Sequence, residues 1–147
     1  MKYLDLIGID LKNDVLCDLF ETYDVQVIYE YDRTHEGLPD EYRAEIPDLG
    51  LQFVFDEKQK FTTLFMQQID AKTFNPFDGD DERLKKFKSM ADAYQHAKDK
   101  NIRITEGKAN FMGEEKDWIR FEYGSYSIHY EYVQSKLRMI TIQTMSA

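Results

Sequence analysis

Apolar and polar residues alternate one for one through most of seven short runs of this chain. Tyr42, Ala44 and Ile46 alternate with Arg43 and Glu45. Leu51, Phe53 and Phe55 alternate with Gln52, Val54 and Asp56. Tyr126, Ile128, Tyr130 and Tyr132 alternate with Ser127, His129 and Glu131. A period of two belongs to a strand with one buried face, because successive side chains leave a strand on opposite sides. Val25–Asp32, Ile119–Tyr123 and Leu137–Thr144 continue the pattern. Phe61–Ile69 is apolar on both sides, which predicts a central strand or one covered twice. The connections at Pro47–Gly50, Glu57–Lys60, Gly124-Ser125 and Gln134–Lys136 are too short for a crossover, so neighbouring strands must run antiparallel.

Two stretches carry the helical period instead. Asn13 is placed to cap a helix over 14–23, with Asp14 in the first turn and Leu16, Leu19, Phe20 and Tyr23 on its apolar side. The stretch 81–100 reads as helical in two pieces, with Ser89 and Asp92 capping the second. Its outer face is basic, through Lys85, Lys86, Lys88, Lys98 and Lys100. Asn101–Thr105 offers a short extra strand, and Glu106–Asp117 reads as a loop. The expected order is α-β-β-β-β-α-β-β-β. We expect one α+β domain over residues 1–147, a curved, mostly antiparallel sheet of about six to seven strands with two main helices on one face.

With 42% hydrophobic and 14% aromatic residues among 147, the chain has too much apolar material to remain disordered. A mean hydropathy of −0.62 and the lack of a long apolar run argue against a membrane-spanning helix. Asp5 and Asp10 interrupt the first apolar residues, so no secretory signal is expected. Cys17, the single cysteine, leaves no internal disulfide and suits a reducing, cytoplasmic setting.

Charge is distributed unevenly. The first 57 residues carry −11 and the remaining ninety carry +2, giving −9 for the chain. Such a surface repels nucleic acid and attracts a basic protein. The densest acids are Glu30, Asp32, Glu36, Asp40, Glu41, Glu45 and Asp48, across the first two strands and their connection. A hairpin would bring Glu30, Asp32 and Glu45 to one face. Tyr29, Tyr31 and Tyr42 nearby suit an interface, where tyrosine is enriched. These ten residues form the expected partner-binding surface. Its partner would be a cationic protein, such as a nucleic-acid enzyme whose phosphate groove the acids imitate. The lysines of 81–100 are interspersed with Asp92 and Asp99, so neither nucleic acid nor membrane is an expected partner. A monomer is expected.

Other constellations are weaker. Asp78, Asp80, Asp81 and Glu82 offer hard oxygen ligands but lack the spacing of a calcium loop, and helix starts favour acids without a metal. His35, His96 and His129 show no zinc-ligand spacing. His129, Glu131 and Arg120, with Tyr130 and Trp118, would line a pocket on the sheet face if the chain were a ligand-binding domain or enzyme. Cys17 fits a core position, and Ser125 lacks the context of a nucleophile. No phosphate-binding or dinucleotide loop occurs. Catalysis, a cofactor and a metal are therefore not expected. A homodimeric structural protein is the third possibility.

The layout of Gly50–Asp56, Leu64-Phe65, Trp118–Tyr132 and Met139–Ile142 resembles that of small bacterial immunity proteins of contact-dependent inhibition and related polymorphic toxin systems. The resemblance implies a cytoplasmic, non-catalytic protein that binds and neutralises one toxin domain, often a basic nuclease. It carries over no specific residue.

Overall fold

The computed structural model describes residues 2–31, 37–68, 76–77 and 81–145, apart from the side chain of Phe111. The described strands are β1 (Val27–Glu30), β2 (Glu41–Ile46), β3 (Leu51–Phe55), β4 (Phe61–Gln67), β5 (Arg103–Phe111), β6 (Glu114–Glu122), β7 (Tyr126–Val133) and β8 (Lys136–Thr144). They form one open antiparallel sheet in the order β1-β2-β3-β4-β8-β7-β6-β5. Two helices, α1 (Asp14–Thr22) and α2 (Met90–Asp99), complete the α+β fold with short 3-10 turns at Tyr3–Leu6, Pro47–Leu49 and Glu82–Leu84.

The sheet has eight strands rather than six to seven. The stretch expected to be a loop after Thr105 is most of β5 and the start of β6, joined by Met112-Gly113. Most of β5 was hidden because it is an edge strand of mixed polar composition. Of its described side chains only Ile104 is among the hydrophobic residues packed against the core. The helical stretch 81–100 is also shorter than expected. It holds one 3-10 turn and α2, and Lys85–Ser89 is irregular.

The two helix starts follow the capping rule. Asn13 accepts from the Val15 amide at 3.0 Å, and Ser89 Oγ accepts from the Asp92 amide at 3.2 Å. β8 ends the chain but lies in the middle of the sheet, between β4 and β7. The doubly apolar β4 is accordingly central.

One face of the sheet carries the core. Ala44, Phe53, Leu64, Ile142, Ile128 and Phe121 lie opposite one another in register across six strands and are buried. Helix α1 covers the β1 end of this face through Leu16, Leu19 and Phe20, whose ring meets Phe53 edge-on at 5.2 Å. Tyr3 joins the same cluster from the N-terminal turn, 6.0 Å from Phe53. Helix α2 covers the β5 end with Ala93 and Ala97. There Phe87 meets Tyr130 at 5.3 Å, and the Tyr132 hydroxyl donates to the Phe87 carbonyl at 2.7 Å. Among the described residues no helix lies on the other face. No described helix is long and apolar enough to cross a membrane.

Candidate functional site

The acids of the β1–β2 hairpin are mostly engaged with their neighbours. Glu30 and Glu41 lie directly opposite each other, a repulsive arrangement unless a cation intervenes. Arg43 supplies it, donating from Nε to Glu30 and from a terminal nitrogen to Glu41, each at 3.1 Å. Glu45 accepts from Gln52 at 3.2 Å. Glu30, Glu41, Arg43 and Glu45 share the helix-free face, so three carboxylates there face one guanidinium. Asp48 sits exposed in the 3-10 turn Pro47–Leu49. Asp32 and Glu36 lie outside the described residues.

The tyrosines point the other way. Tyr29 lies opposite Tyr42 with ring centroids 4.9 Å apart, and Tyr31 stacks on Tyr29 at 6.2 Å. They border the core face, because they alternate with Glu30 and Arg43 along strands of period two. The Tyr29 hydroxyl donates to the Asp40 carboxylate. That bond is lost when the phenol ionises, so its pKa is pushed up to about 12.

A second acidic surface lies on α1, where the sequence placed Asp14 only as a first-turn acid suited to the helix dipole. Asp14, Asp18 and Glu21 follow one another at intervals of four and three, which places them on one side of a helix. Leu16, Leu19 and Phe20 occupy the opposite side. Asp24 follows just beyond the helix. All four acids are exposed, and none forms an ion pair among the described residues. Their helical spacing was the available signal. Beside them a groove of about 330 Å³ runs between α1 and β1, floored by Leu11, Cys17, Phe20, Val25 and Val27 and rimmed by Glu21 and Asp24. Lys12 is its one cationic lining residue. Cys17 donates its thiol weakly to the Leu11 carbonyl at 3.8 Å.

The helix-free face gathers a different set near β5. Trp118 lies opposite Glu131, and Arg120 opposite His129. Trp118 and His129 stack at 5.3 Å. The indole lies so close to Gly107 that a Cβ there would come within 2.7 Å of it. Ser127 is buried with no partner for its hydroxyl, and Arg120 Nε is likewise unpaired while another of its nitrogens holds Glu122 at 3.0 Å. Burial keeps His129 below the usual imidazole range, outweighing Glu131. Tyr130 is not part of this set. It alternates with His129 onto the core face, where burial pushes its phenol well up.

Asp81 is engaged by the turn that follows it. It caps the Glu82–Leu84 turn through the Arg83 amide, and its carboxylate holds the Arg83 side chain at 2.9 Å, which keeps its pKa low. Glu82 begins that turn; Asp78 and Asp80 lie outside the described residues. Among the described residues no three His, Cys, Asp or Glu side chains converge. His35 falls outside them, and His96 packs against Phe87 at 4.9 Å.

No family model, curated protein or solved structure matches this chain.

Proposed function

We propose that this is a non-catalytic acidic protein that binds and neutralises a basic protein partner, in the manner of a bacterial immunity protein bound to a nuclease-type toxin domain. The supporting observation is the α1–β1 margin. Of four exposed acids without ion pairs among the described residues, Glu21 and Asp24 line an apolar groove together with Val27, and Val27, Ile28 and Tyr29 of the neighbouring strand are exposed. Charge supplies steering, and the apolar and aromatic residues supply the desolvated contact that slows dissociation. The hairpin acids contribute less than their number suggests, because Arg43 bridges two of them and cancels one of their charges.

The experiment is association with the product of the gene adjoining its own, followed at rising salt. Reversing Asp14, Asp18 and Glu21 to Lys should slow association about tenfold at low salt and flatten its salt dependence. Reversing Glu30 and Glu45 should do less. No complex, or unchanged kinetics in the α1 variant, overturns the proposal.

A ligand-binding reading has one specific support, the unpaired Arg120 Nε two residues from Trp118 on the helix-free face, with the unpaired Ser127 hydroxyl farther along that face. Trp118 is the only tryptophan, so quenching of its fluorescence by small anionic aromatic compounds, lost in Arg120→Ala, would favour that reading instead.

A further inference from the structure

We infer that the partner docks by strand addition: an extended basic segment pairs with the free edge of β1 and places an apolar side chain in the α1–β1 groove. This rests on the proposed function and specifies how the partner is held.

Among the described strands β1 is the last at its end of the sheet, so its outward amide and carbonyl groups have no partner in those strands. Exposed edges of this kind template the pairing of another chain, and proteins guard them with short length, lysine, proline or a bulge, of which the four-residue β1 has only its length. β1 reads Val-Ile-Tyr-Glu, and its register with β2 is uninterrupted. Its only charge, Glu30, is engaged by Arg43. Val27 is 39% exposed, Ile28 58% and Tyr29 47%.

The groove lies against this edge on the core-face side, with Val27 in its wall. In an added strand every second side chain points to that side. One apolar residue there would cover Cys17 and Phe20, while cations around it would meet Glu21 and Asp24. Strand addition of this type draws affinity from main-chain hydrogen bonds and specificity from such side-chain pockets. A second copy of this chain fits poorly. A two-fold β1–β1 pairing would set Asp14, Asp18, Glu21 and Asp24 near their own counterparts, and like charges across an interface repel.

The probe is a short capped peptide with one valine and a lysine two residues away on either side, so that all three side chains leave on the groove side, compared with the same peptide N-methylated along its backbone. Two readouts follow docking on the intact protein. One is the rate at which Cys17, the only cysteine, reacts with an aromatic disulfide. The other is hydrogen exchange of the β1 amides. The unmodified peptide should slow both, and N-methylation should weaken binding about tenfold or more, the effect of losing roughly two hydrogen bonds. Glu21→Lys with Asp24→Lys should also weaken it.

Equal binding of both peptides without protection of β1 would overturn strand addition and leave acidic docking standing. Binding of neither peptide also overturns strand addition, while the proposed function is then judged by the adjoining gene product alone. Concentration-dependent dimerisation that protects β1 and is not displaced by the peptide would make a second copy the occupant and overturn the basic segment.

Discussion

The two edges of the sheet are finished in different ways. β5 is a nine-residue strand with Arg103, Glu106 and Lys108 exposed along it, and Arg103 reaches Glu122 of β6 at 3.7 Å. β1 is a four-residue strand whose exposed residues are mainly apolar or aromatic. Charges of both signs make β5 a poor template for another chain, whereas β1 has little to deter one. The nearby helices repeat the contrast. α2 ends in His96 and Lys98, where cations suit the helix dipole, and α1 presents a stripe of acids.

The largest test asks whether these dissimilar ends share one core. Phe53→Ala from the β1 end and Tyr130→Ala from the β5 end should each cost about 3–5 kcal/mol, since both side chains are fully buried. A single denaturant transition should persist in both variants. Two transitions would mean that the ends fold separately.

Gly107→Ala tests the guarded edge. Its added methyl would collide with the Trp118 indole, so a cost of about 1–3 kcal/mol and a shifted tryptophan emission are expected. Normal stability and emission would show that the indole is free to move. Removing one cap at each end compares the helices: Asn13→Ala and Ser89→Ala should each cost about 1 kcal/mol in thermal denaturation.

Ile28→Lys would give β1 the kind of charge that β5 carries. At an exposed site stability should change by no more than about 0.5 kcal/mol, while binding of the valine-lysine peptide should weaken. Unaltered peptide binding would weaken the contrast between the edges.

A pH series gives the smallest effect, at the β5 end. Burial holds His96 and His129 below the ordinary imidazole range, so each binds protons more readily unfolded than folded. Their stability is therefore complete above about pH 6.5 and declines as pH falls toward their lower folded values. Carboxylates titrate mainly near pH 4, so the decline between about pH 6.5 and 5 belongs largely to the histidines. His129→Phe, which keeps a ring against Trp118, should flatten that part of the profile in denaturant midpoints. An unchanged slope would assign it to other groups.

Much of the fold was legible before the structure. The alternation at Tyr42–Ile46, Leu51–Phe55 and Tyr126–Tyr132 is imposed by burying one side of a strand, and Asn13 and Ser89 mark helix starts by their side-chain oxygens alone. Of β5 only the start was legible, within the short strand at Asn101–Thr105; beyond Thr105 an edge strand with Gly107 and several charges buries too little to impose a pattern. The site divided in the same way. Alternation put Glu30 and Glu45 on one face, but it could not show that Arg43 would sit between Glu30 and Glu41, because that depends on the β1–β2 register. The spacing of Asp14, Asp18 and Glu21 was readable, yet their lack of ion-pair partners among the described residues was not.

The sequence by itself determined the α+β class, the antiparallel pairing and the negative charge of the amino-terminal part, because each follows from local periodicity, short connections or simple counting. Tertiary structure alone decided that β8 lies at the centre, that β1 is left at an edge, and which acids are neutralised and which are presented. Those outcomes depend on which distant segments become neighbours, and a one-dimensional pattern does not carry that information.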